Sequence, residues 1–86
     1  MNIKEAEAAF QDLVGMMERE RDSALHRSPQ ARRDLDIALS TAQAALEHLK
    51  NGRGEAAANL WKRNAALRLV ARQYDVEFER ITAAFE

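Results

Sequence analysis

Only two places in the 86-residue chain interrupt a helical pattern, Ser28-Pro29 and Asn51-Gly52-Arg53-Gly54. Proline disfavours helical geometry in the residue before it and suits the first turn of a helix, while Gly and Asn tolerate the left-handed backbone that follows one. Elsewhere the chain holds one further Gly and is rich in Ala, with 17 in all, which favours helix and disfavours sheet. The expectation is an all-α fold: three antiparallel helices running up-down-up with a long C-terminal helix, over about 3–26, 29–50 and 55–85 of a single domain 1–86. They form either a closed bundle or an open hairpin completed by oligomerisation.

Each helix carries its own start signal and apolar period. Asn2 is placed to cap the first, with Glu5 three residues on in the position that reaches back to the cap. Its stripe reads Ile3, Ala6, Phe10, Leu13, Met17, Ala24, widened by Val14. Ser28 caps the second, whose stripe alternates small and large residues: Ala31, Leu35, Ala38, Ala42, Ala45 and Leu49, flanked by Leu39 and Leu46. That helix ends at Lys50. From there to the C-terminus no further Gly or Pro follows Gly54, and a straight helix of roughly 30 residues would run about 45 Å; whether it stays straight through Gln73 to Val76, where several weaker helix formers cluster, is left open.

This last segment carries more apolar surface than a three-helix arrangement needs. One seam reads Ala57, Leu60, Asn64, Leu67, Ala71, Tyr74, Phe78, Ile81, Phe85, a 3,4 repeat that serves as the core. A second set, Trp61, Ala65, Leu69 and Val76, is rotated by well over 100° from the first at about 100° per residue. Arg68 and Arg72 project on the same side as Trp61. An indole, two guanidinium groups and aliphatic side chains are what dominate interface energetics, so the candidate partner-binding residues are Trp61, Ala65, Arg68, Leu69, Arg72 and Val76. The alternative is that Trp61 flanks the core and the arginine stems cover Leu69 and Val76. Asn64, on the main seam, either fixes register or sits where the seam reaches solvent.

Charge along this segment is polarised. From 53 to 72 there are five basic residues (Arg53, Lys62, Arg63, Arg68, Arg72) against Glu55; from 73 to 86 there is Arg80 against Asp75, Glu77, Glu79 and Glu86. In one continuous helix this opposes the dipole, which favours acids at the start and bases at the end. Two copies packed antiparallel would set each basic half against an acidic one, which makes a homodimer the expected state, with a protein partner of unspecified identity beside it. The other reading is a solvated charged surface.

Most chemistry is excluded. No Cys is present, so disulfides, thiolate metal sites and thiol nucleophiles fall away. His26 and His48 lie at opposite ends of an up-down-up arrangement, and no HExxH, paired Glu-x-x-His or phosphate-binding Gly loop occurs. Ser23, Ser28 and Ser40 lack a neighbouring His-acid constellation. No catalytic residue, cofactor or metal is expected. No apolar run exceeds three residues, against the roughly 20 needed to span a bilayer, and residues 1–7 show no signal-peptide apolar stretch. A cytoplasmic protein without membrane contact is expected.

Net charge is −1, which leaves no overall footprint for nucleic acid. A nucleic-acid regulator using the basic half of the last helix, with Trp61, Asn59 and Arg32-Arg33, is the second reading. A purely structural oligomer subunit is the third. In outline, a helical hairpin with a Gly-containing turn and a long amphipathic last helix is similar to small helical co-chaperones and adaptors of bacterial secretion systems and to small phage-encoded inhibitors. That likeness implies a non-catalytic, partner-directed role through the outer face of the last helix.

Overall fold

Asn2 begins the first helix as its sequence position implies. Its Oδ1 accepts from the Glu5 N–H at 3.0 Å, and α1 (Ile3–Asp22) follows with Ala6, Ala9, Phe10, Leu13, Val14 and Met17 buried along one side. The return half of the capping box is not made. The Glu5 carboxylate instead accepts from Arg80 Nε at 2.8 Å, and the Asn2 N–H donates to the Ala84 carbonyl at 2.7 Å. The computed structural model describes residues 1–23 and 28–86, so the expected helix end near His26, and Ala24 with it, lies outside the described residues.

Ser28 Oγ accepts from the Ala31 N–H at 3.2 Å and Pro29 takes the first helical position, opening α2 (Pro29–Lys50). Leu35, Ala38, Leu39, Ala42, Ala45, Leu46 and Leu49 are buried, the expected stripe less the half-buried Ala31. Gly52, at φ 74°, turns the chain, a backbone state that costs other residues a Cβ clash.

The single long helix expected over 55–85 is not what forms. The segment divides into α3 (Gly54–Arg63), α4 (Ala65–Ala71) and α5 (Asp75–Phe85). Asn64 makes the first break: its backbone is extended (φ −101°, ψ 98°) and its Oδ1 accepts from the Leu67 N–H at 2.8 Å. It ends α3 and caps α4 at once. Its Nδ2 donates to Thr41 Oγ1 on α2 at 3.1 Å, so the break is pinned to a neighbouring helix. The second break, over 72–74, reverses the chain.

That reversal makes a fourth stroke. Ala84 lies beside Asn2 while Arg80, one turn earlier, pairs with Glu5 and Asp12 further along α1. The last helix therefore runs antiparallel to α1, where the three-helix expectation had it parallel. The result is up-down-up-down, with the third stroke kinked at Asn64. A straight helix of about 45 Å would also outrun the molecule, whose longest dimension is 38 Å.

Folding back supplies the cover that three helices lacked. Trp61 is 5% exposed. Its ring lies 5.9 Å from Phe10 edge-on and 5.2 Å from Phe78, and Phe10 in turn lies 6.0 Å from Phe85. Aromatic pairs in these geometries add about 0.5–1.5 kcal/mol each beyond burial. Trp61, expected on an outer face, is a core residue because α5 covers that side of α3. No described helix is long and apolar enough to cross a membrane.

Candidate functional site: the outer face of α4

With Trp61 withdrawn into the core, the expected partner-binding set separates into three groups. Ala65, Arg68, Leu69 and Arg72 recur at i, i+3, i+4 and i+7, and all four line one side of α4 and its C-cap. Val76 lies across the second break on α5. The opposite side of α4 is anchored by the buried Leu67, Val70 and Ala71, which fixes what faces out.

The α4 stripe forms one wall of a shallow depression of about 370 Å³, completed by Ala66 and by Asp34 from α2. Leu69 is 62% exposed at its rim. Arg68 Nε is shielded from solvent and has no hydrogen-bond partner among the described residues. Asp34 stands nearby, yet its carboxylate accepts from Gln30 Nε2 at 2.9 Å and makes no ion pair with Arg68. Leaving a shielded donor unpaired is unfavourable by about 1–3 kcal/mol, more for a charged group.

Arg72 joins this depression to a second, of about 380 Å³, lined with Asp75, Phe78 and Glu79. Its guanidinium sits 5.4 Å from the Phe78 ring centre, a cation–π contact of about 0.5–1 kcal/mol at an exposed site. No ion pair ties it to Asp75 or Glu79. Val76, next to Asp75 in the first turn of α5, is 66% exposed. The surface around the second break therefore presents an apolar-basic half on α4 and an apolar-acidic half on α5, side by side.

The charge reversal that opposed a single helix dipole has the same origin. Lys62 and Arg63 fall in the last turn of α3, Arg68 in that of α4, and Asp75 and Glu77 in the first turn of α5. These charges sit at the helix ends the dipole favours, although α5 ends on Glu86 with no base in its last turn.

The remaining polar features are structural. Arg80 spans Glu5 at 2.8 Å and Asp12 at 2.9 Å; its hydrogen bonds to Glu5 and then to Asp12 raise its pKa against an opposing desolvation. His48 Nδ1 accepts from Arg53 Nε at 2.9 Å, at the α2–α3 turn. Among the described residues no group of three or more His, Cys, Asp or Glu is arranged to hold a metal ion. The sequence reading missed Asn64 as a cap. Its signal was present, an Asn followed by a short apolar run at helical spacing.

No family model, curated protein or solved structure matches the chain.

Proposed function

We propose that this chain is a small non-catalytic helical interaction module, of adaptor, co-chaperone or inhibitor type, that binds a protein through the outer face of α4. Ala65, Arg68, Leu69 and Arg72 form the contact, with Val76 extending it across the second break. Trp61 supports the face from the core and does not touch the partner. The observation that carries this reading is the pairing, on consecutive residues, of an arginine whose shielded Nε lacks an acceptor with a leucine left 62% exposed. Burying the exposed part of that leucine would contribute about 1–2 kcal/mol, and a carboxylate on the partner would pair with the arginine's charge.

The nucleic-acid reading loses its aromatic. Trp61, packed between Phe10 and Phe78, is not free to stack on a base. A photo-reactive amino acid at position 69, with a control at the exposed Gln43 on α2, tests the proposal in cells. Protein adducts from position 69 and none from 43 are expected. Nucleic-acid adducts, or equal labelling from both positions, would overturn it.

A further inference from the structure

We propose that the occupant of the α4 face is a second copy of this chain, docked about a twofold axis that passes beside the second break. This rests on the reading of α4 as a protein-binding face. The two halves of the surface are chemical complements: Arg68, Leu69 and Arg72 on one side, Asp75, Val76 and Glu79 on the other. A twofold pair requires self-complementarity of this kind, in which patch A of one copy meets patch B of the next and the reverse holds simultaneously.

Three features of the structure favour a second copy over an unrelated acidic partner. Leu69 and Val76 are the two most exposed large apolar side chains recorded, at 62% and 66%, and one falls in each half. Arg72 lines both depressions, so the halves form a continuous surface with the axis between them. No ion pair within the chain neutralises Arg68, Arg72, Asp75 or Glu79 among the described residues; the ion pairs recorded are Arg21–Asp22 and those of Arg80. The charges are adjacent within a copy, and a twofold partner brings further opposite signs to each half.

In the docked pair, Arg68 and Arg72 of one copy meet Asp75 and Glu79 of the other, and Leu69 packs on Val76. This differs from two long helices pairing over their full length. The contact lies at one corner of the molecule, and the basic and acidic partners come from α4 and α5.

The test is the solution mass by light scattering over a dilution series, with charge-reversed variants. Wild type is expected at twice the monomer mass of 9.7 kDa, loosening as salt rises. The double variants Arg68→Glu/Arg72→Glu and Asp75→Lys/Glu79→Lys are each expected to be monomeric, because each sets like charge against like. Mixed together, they are expected to form a one-to-one heterodimer, which shows that both fold. A wild type that stays monomeric throughout would overturn the proposal, as would single-variant preparations that dimerise like wild type or a mixture that fails to pair. Adducts from position 69 to a different protein, with a monomeric wild type, would leave the α4 face standing and remove only the second copy.

Discussion

Asn64 does the work of two residues. Its side-chain oxygen caps α4 through the Leu67 N–H while its amide donates to Thr41, whose own hydroxyl donates to the Ile37 carbonyl at 2.9 Å. Asn64→Ala removes both bonds and is expected to lower stability by about 1–2 kcal/mol in urea denaturation. Asn64→Asp keeps the acceptor and loses the donor, so it should cost less than Ala; an Asp variant as costly as Ala would assign the stability to the Thr41 bond and not to the cap. Gly52 is the other position where one residue decides the backbone. At φ 74°, Gly52→Ala is expected to cost about 1 kcal/mol, read from the same denaturation curve. Gly54 serves differently, since a Cβ there would come within 2.6 Å of Met1 Sδ and 3.0 Å of Ile3. It lets the start of α1 press against the start of α3.

Among the elements, α5 changes the meaning of the others. It turns Trp61 from an outer residue into the centre of a ring cluster with Phe10, Phe78 and, through Phe10, Phe85. Trp61→Ala is therefore expected to cost about 3–5 kcal/mol, in the range of buried aromatic truncations, and to loosen or unfold the chain. As the only Trp, Trp61 should emit at shorter wavelength than free tryptophan and resist quenching by iodide. A solvent-like emission would contradict its burial. Arg80 holds α5 to α1 from outside. Its pKa is raised in the fold, so its contribution is fully present below its ordinary value and is lost only as pH rises through the raised one, in strong alkali. Arg80→Met should cost under about 1 kcal/mol, as exposed pairs do, with a difference from wild type that stays flat from neutral to moderately alkaline pH. The helix breaks were legible in retrospect. The switch from basic to acidic residues between Arg72 and Asp75 marks a C-terminus followed by an N-terminus, and Asn64 is a cap residue in the middle of a seam. Neither contains Gly or Pro, so a reading based on strong breakers runs the helix through Asn64 and leaves open only whether it stays straight through 73–76, where weaker helix formers cluster.

For the whole molecule, the question is which apolar surface remains once the chain has closed on itself. Leu69 and Val76 contribute little to the monomer, so Leu69→Ser and Val76→Ser should each alter unfolding free energy by no more than about 0.5 kcal/mol, as surface substitutions do. Both should weaken self-association in light scattering. A large loss of stability with unchanged association would mean that these side chains serve the fold. Four of the six residues proposed from the sequence, Ala65, Arg68, Leu69 and Arg72, do share one face. They do so because i, i+3, i+4, i+7 spacing survives within any helix long enough to contain it. Trp61 fell in the core and Val76 on the following helix because the extrapolation crossed the two breaks.

Local signals determined the helical class, the caps at Asn2 and Ser28, the turn at Gly52 and the buried stripes of α1 and α2, because each depends on residues within a turn or two of one another. The number of strokes and the direction of the last one were decided only in three dimensions. A 30-residue helix and a kinked helix with a returning arm have similar local propensities, and they differ in what covers Trp61. The returning arm buries that indole against Phe10 and Phe78, contacts whose partners lie far apart in the chain. Those long-range contacts are what favour the break at 72–74 over continuing the helix into solvent.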